Sequence, residues 1–284
     1  MSDPALYLRG AEDLRRNERQ WQAYESTGHC VLLAGPGSGK TKTLTVKLAR
    51  MLSEDVDEPR GIACITYNNE CARELEMRLD ALGISPSGRV FIGTVHSFSL
   101  TQILFPYAKL AGVGLPDEFT VATRQQSRAA LERAHAKVIK GPENPQTWDF
   151  RMGVYRRRFL VREQSNFDTA NPQLATLVTA YEAELRAKGL IDFDDMPLLA
   201  VRALATNPWL RKALVAKYPI LAVDEYQDLG RALHGMVMGL CFSAGMRLFA
   251  VGDVDQSIYG FTGANPELLR RLSDRPDVET VQLG

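Results

Sequence analysis

Short apolar runs punctuate the chain at residues 30–34, 61–66, 89–94, 218–223, 246–251 and 278–283. Each is too short for a helix and most are apolar throughout, as expected of strands buried on both faces of a parallel sheet. Between them, residues 40–52, 70–82 and 230–242 repeat their apolar positions at helical spacing. Strands alternating with helices predict a parallel sheet flanked by helices. From 99 to about 205 the texture changes. Residues 124–140, 172–189 and 194–205 carry helical periodicity, no convincing strand appears, and Pro/Gly clusters at 112–116, 141–145 and 171–172 separate the segments. The pattern predicts an all-α subdomain inserted into an α/β domain.

The chain has 284 residues, enough for about two domains, with 45% hydrophobic and 24% charged residues. Thirty-four basic residues balance 34 acidic ones, so no global field draws the chain to nucleic acid or membrane. A local track is still allowed, because steering depends on where charges sit. Residues 99–190 hold 13 Lys/Arg against nine Asp/Glu, densest in "YRRRFLVR" at 155–162. On its own that run reads as a solvated helix face. The cysteines at 30, 64, 71 and 241 form no C-x-x-C pair and read as buried free thiols of a reducing compartment. With neither a signal-peptide core nor a run of about eighteen apolar residues, the expectation is a cytoplasmic chain without a membrane partner.

The candidate chemistry begins at "AGPGSGKT", residues 34–41, between a predicted strand and a predicted helix. Gly35, Gly37 and Gly39 allow backbone N–H groups to turn inward around phosphates, and the helix N-terminus adds partial positive charge. Lys40 can reach the β- and γ-phosphates, and the Thr41 hydroxyl can ligate Mg²⁺. Ser38 and Lys42 complete the expected nucleotide-binding set. Ala34 stands where the general motif has Gly. A P-loop needs an acid at the end of a neighbouring strand, and "ILAVDEYQD" (220–228) supplies Asp224 for the metal. Glu225, directly after it, can orient an attacking water and accept its proton, which implies hydrolysis. No Asn-Lys-x-Asp guanine motif occurs, so ATP is favoured over GTP.

These motifs, with "RNERQ" (16–20), "CITYNNECARELEMRL" (64–79), "GTVHSF" (93–98), "GLIDFDDM" (189–196) and "VGDVDQSIYGFTGA" (251–264), follow one another in the order and spacing of a known family. The chain resembles the UvrD/Rep-like branch of superfamily 1 DNA helicases, a branch to which the Ala at 34 also belongs. The resemblance implies a RecA-like ATP-binding domain formed by 1–98 and 206–284, with 99–205 as the helical insert. It implies Gln20 at the adenine edge, Asp224 and Thr41 at Mg²⁺, Glu225 as general base, and Gln256 at the γ-phosphate or attacking water. For single-stranded DNA it implies aromatic stacking by Tyr67, Phe193, Tyr259 and Phe261, with Thr66, Asn68, Thr94 and His96 as polar contacts. Stacking tolerates any sequence, as translocation requires.

Two departures matter. Tyr67 and Phe261 stand where the family often has Phe and Trp, which keeps stacking, whereas Thr262 replaces a common Arg. The family also continues past residue 284 with further nucleotide contacts and a second RecA-like domain. The expectation is therefore the N-terminal motor portion of an ATP-dependent helicase acting on single strands and ss/ds junctions. Alone, such a piece should hydrolyse ATP poorly, and the C-terminal RecA-like domain is its implied partner. A motor from a recombination helicase–nuclease and an ATP-responsive single-strand binding module without turnover are the alternative readings. A P-loop kinase or GTPase is more distant, lacking acceptor-site or guanine motifs.

Overall fold

The computed structural model describes residues 4–84, 88–162, 165–253 and 266–284. They form two compact units, one comprising residues 1–98 and 211–284 and the other residues 99–210.

The first unit is built on a six-stranded sheet. Its strands are β1 (His29–Ala34), β2 (Ile62–Thr66), β3 (Val90–Thr94), β6 (Ile220–Val223), β7 (Arg247–Gly252) and β8 (Val278–Leu283). Their order is β3-β2-β6-β7-β1-β8, and every pairing is parallel. All six coincide with the apolar runs. Every residue of β2 and β6 is buried, as the unbroken apolar stretches require of central strands covered on both faces. Edge strand β8 is only half covered, burying Val278, Val281 and Leu283 while exposing Glu279, Thr280 and Gln282. Leu32, Leu44, Leu48, Leu75, Leu79 and Phe249 pack in one core, each worth about 1.5–3 kcal/mol of burial. Because all strands run the same way, their carboxyl ends lie along one edge, where parallel sheets hold ligands.

The second unit is helical. The helices Arg124–Val138, Gln146–Arg158 and Pro172–Arg186 share a core containing Leu131, Trp148, Met152, Leu177 and Tyr181. The first begins in a capping box, with the Thr123 hydroxyl bonded from the Gln126 N–H and the Gln126 side chain bonded from the Thr123 N–H. Asn171 caps the third, which has Pro at its first turn. One short pairing, β4 (Thr120–Val121) with β5 (Leu190–Ile191), is parallel. Two residues per strand are too few to produce an alternating pattern, so periodicity does not reveal them.

The run at 155–162 departs from a solvated face. Arg156 is only 1% exposed and bonds Glu182, Asp192 and Asp195. Three carboxylates clustered on one guanidinium supply what a buried charge needs, so the arginine turns inward. Arg157 pairs with Asp194 and Arg162 with Glu182.

All four cysteines are free; Cys30, Cys64 and Cys241 are buried and Cys71 is half-buried. Among the described residues no helix is long and apolar enough to cross a membrane.

Candidate functional site

The glycine-rich loop leaves the carboxyl end of β1. Ala34 is a strand residue, 4% exposed and paired with Leu283, which accounts for a small apolar side chain there. The Ser38 hydroxyl donates to the Gly35 carbonyl at 2.6 Å and closes the loop. Gly39 caps the following helix, Lys40–Arg50, with φ 90°, a left-handed conformation favouring glycine. A Cβ on Gly39 would also collide with Gln20 Nε2.

Gln20 lies on the helix Glu18–Glu25, whose first turn is held by Asn17 accepting from the Arg19 and Gln20 N–H groups. Its side-chain amide donates to the Ser38 carbonyl at 3.0 Å, so Asn17-x-x-Gln20 braces the glycine-rich loop. Lys42, by contrast, points at Asp13, 3.1 Å away, outside the lysine–acid cluster that Lys40 joins.

Asp224 and Glu225 follow the last residue of β6. The Asp224 N–H donates to the Ile65 carbonyl at 2.8 Å, so the acid extends the strand register. Lys40 Nζ lies 3.3 Å from Glu225 Oε2; the two side chains are 12% and 29% exposed. Two segments 185 residues apart therefore converge at one charged point. Glu225 adopts φ 51°, ψ 49°, a left-handed conformation unusual for a residue with a side chain. Such a conformation costs on the order of 1–3 kcal/mol and persists where its surroundings over-determine it. Here the Glu225 N–H donates to Asp224 Oδ1 at 3.1 Å, and the carboxylate meets both Lys40 and Gln227.

Burial, and after it the charge of Glu225, pushes the Asp224 carboxyl up to about 6. A buried carboxylate held against its preference is ready for a cation. Thr41 and Asp224 offer hard oxygen donors, the kind Mg²⁺ selects, so the residues present fit that ion. Burial followed by Glu225 also raises the Asp228 carboxyl.

Gln227, Asp228 and Asp253 escape a reading by motif alone. Gln227 is 1% exposed and bonds both Glu225 and the Asp253 N–H. The available signal was an amide-bearing residue, Gln227, two positions after Glu225 in "VDEYQD".

The expected strand-contact residues divide into two groups. Thr66 ends β2 fully buried, its hydroxyl donating to the Asn68 carbonyl. Asn68 caps the helix Asn69–Ala81 by accepting the Cys71 N–H at 2.8 Å, the ordinary use of Asn before a helix. Thr94, paired in register with Thr66, accepts the Ser97 N–H at 3.2 Å. These polar side chains shape the turns after β2 and β3, and half-buried Tyr67 and His96 sit on those turns. Phe193, in the helical unit, is 61% exposed. Its neighbours Asp192 and Asp195 are nearly buried and tied to Arg156, so the turn is anchored while its aromatic faces outward. Gln256, Tyr259, Phe261 and Thr262 lie outside the described residues.

The sequence matches the UvrD/REP helicase N-terminal domain over residues 16–277. It is 32% identical over 283 residues to the ATP-dependent DNA helicase Rep of Escherichia coli (strain K12), covering 95% of this chain and 41% of that protein. With the ATP-dependent DNA helicase PcrA of Leuconostoc citreum it shares 30% identity over 277 residues, 94% of this chain and 36% of PcrA. With Rep of Salmonella typhimurium (strain LT2) the identity is 31%, over 95% of this chain and 40% of that protein. The chain thus spans roughly two fifths of the length of these relatives. The matched region takes in the glycine-rich loop, the acid pair and the helical unit. The chain belongs to the UvrD/REP helicase N-terminal domain family.

Proposed function

We propose that this chain is the nucleotide-hydrolysing motor portion of an ATP-dependent DNA helicase that moves along single-stranded DNA. The observation that carries the reading is the meeting of Lys40 with Glu225, beside buried Asp224, at the carboxyl ends of β1 and β6. The names of the relatives supply the substrate class, ATP and DNA.

In this mechanism the loop 35–39 and the amino end of the helix Lys40–Arg50 bind the phosphates through backbone N–H groups. Lys40 places positive charge where negative charge grows on the transferred phosphoryl group. Thr41 and Asp224 would hold Mg²⁺, which when bound neutralises charge on the phosphate oxygens. Glu225 orients the attacking water and takes its proton onto Oε1 or Oε2. Lys40, already against Glu225 Oε2, holds that carboxylate in place until phosphate enters. Gln20, bonded to the Ser38 carbonyl, would turn its amide to the adenine edge once nucleotide binds.

Single-stranded DNA would cross the turns after β2 and β3, where Tyr67 offers a ring to its bases; Phe193, in the helical unit, is proposed separately as a stacking ring. RecA-like closure onto a second domain is the motion that would convert hydrolysis into steps. The test is ATP turnover by the full-length protein with and without single-stranded DNA. The proposal expects strong stimulation by DNA; turnover indifferent to DNA would overturn the motor reading.

A further inference from the structure

Gln227 uses both ends of its amide, and neither end is satisfied by ordinary secondary structure. It sits in a single 3₁₀ turn, Tyr226–Asp228, just beyond Glu225. Its Nε2 donates to Glu225 Oε2 at 2.8 Å and lies 3.4 Å from Asp228 Oδ2. Its Oε1 accepts the Asp253 N–H at 3.0 Å, at the exit of β7. These partners fix the amide's orientation, since a flipped group would set its oxygen against a carboxylate and its nitrogen against an N–H. The turn is anchored in its own right: Tyr226 is 3% exposed, and its hydroxyl lies 2.8 Å from His234 Nδ1. Space for the amide depends on Gly252, where a Cβ would come within 2.7 Å of Gln227 Oε1.

We propose that Gln227 is the positioning residue for the Glu225 carboxylate, linking it to the main chain at the end of β7. Glu225 enters its turn in a left-handed conformation, so backbone preference alone does not aim its side chain. Lys40 also holds Oε2, but its flexible stem must be able to turn to phosphate. Gln227 is buried on a short turn and bonded at both ends, so its hold on Oε2 persists when Lys40 turns away. The carboxylate is gripped from behind while its side chain keeps 29% exposure toward reactants. The proposal rests on the reading of Glu225 as the general base.

The test compares Gln227→Met, which keeps length and removes both hydrogen bonds, with Glu225→Gln and the double variant. The measurements are single-turnover ATP hydrolysis by the full-length protein and affinity for a fluorescent ATP analogue. Misdirecting the base should lower the rate of Gln227→Met about 10–100-fold, with nucleotide affinity within about two-fold of wild type. In the Glu225→Gln background the same substitution should change the residual rate less than about two-fold, because its effect passes through the missing carboxylate. A Gln227→Met protein at the wild-type rate would overturn the assignment. So would an equal loss in both backgrounds, or a matching loss of nucleotide affinity. Unimpaired hydrolysis by Glu225→Gln would instead remove the general-base reading itself. Should Gln227→Met fail to fold, Gln227→Glu keeps the acceptor for Asp253 and sets a carboxylate against Glu225. That variant should also be slow with unchanged nucleotide affinity, and a wild-type rate would reject the role.

Discussion

Arg156 in the helical unit and Lys40 in the α/β unit are both basic side chains set among carboxylates, yet their surroundings differ in kind. Arg156 is sealed off, bonding Glu182 at 3.1 Å, Asp192 at 2.6 and 3.1 Å and Asp195 at 2.6 Å. Its acids are satisfied in turn: Asp192 accepts the Tyr181 hydroxyl, and Asp195 accepts Arg186 and the Asp192 N–H. Burial alone would raise Glu182 and Asp192, but the neighbouring arginines bring both below the usual carboxylate range, while burial and the charge of Asp192 leave Asp195 raised. Lys40 instead meets the partly exposed carboxylate of Glu225, a residue in a left-handed conformation, at 3.3 Å, beside a second acid, Asp224, that burial pushes up to about 6. A closed network with every carboxylate hydrogen-bonded holds a fold. An open one, with charge in excess and backbone strain beside it, is suited to receive a charged ligand.

The largest expected effect lies in the closed network. Arg156→Met should destabilise the helical unit by about 3–5 kcal/mol, because Asp192 and Asp195 would stay buried without their counter-charge. Urea unfolding measures this, and a loss below about 1 kcal/mol would break the contrast between the two clusters. Next comes Phe193, which that network presents. Phe193→Ala should weaken single-stranded DNA binding by about 1–3 kcal/mol without lowering stability, because the ring is 61% exposed. Unchanged affinity in a DNA titration would leave the network with no DNA contact to present.

Lys47 sharpens the comparison from a third side. It is 1% exposed, and its ammonium donates to the carbonyls of Tyr24 at 2.7 Å and Ser26 at 2.5 Å. Burial, then Arg50 and Arg247, bring it down to about 8. An unfolded lysine titrates near 10.4, so between these values the unfolded chain binds the extra proton and stability rises with pH. The difference in unfolding free energy between wild type and Lys47→Met should therefore climb from about pH 8 to 10, by at most about 1.4 kcal/mol per pH unit. A pH-independent difference would show that neutral carbonyls suffice to hold this cation.

The sheet was legible in the sequence because burial on both faces leaves strands such as 62–66 and 220–223 apolar throughout. The glycine loop and acid pair were legible because few other functions require Gly-Lys-Thr at a helix start and adjacent acids at a strand end. The helix Gln146–Arg158 was hidden for the opposite reason. It exposes Phe150 and Val154 and buries Arg156, so its polar and apolar positions contradict its inner and outer faces. Only Asp192 and Asp195, brought to it by the fold from further along the chain, make that burial favourable. Gln227 was hidden because its partners are a carboxylate and a main-chain N–H 26 residues away, and no local spacing encodes the second. Asn68 carried a readable signal of its own, an N-cap before a helix, beneath its resemblance to a strand contact.

The central claim is that the Lys40–Glu225 cluster serves chemistry and the Arg156 cluster serves architecture. Measuring unfolding free energy and ATP turnover together for Glu225→Gln and Asp192→Asn in the full-length protein tests it most directly. Glu225→Gln should lose about 10²–10⁴-fold in turnover while stability moves by less than about 1 kcal/mol. Asp192→Asn, which removes a carboxylate that Arg156 holds below its usual range, should lose about 3 kcal/mol or more of stability, with the protein that remains folded hydrolysing ATP at a near-normal rate. Normal turnover in Glu225→Gln, or a stability loss there equal to that of Asp192→Asn, would contradict it.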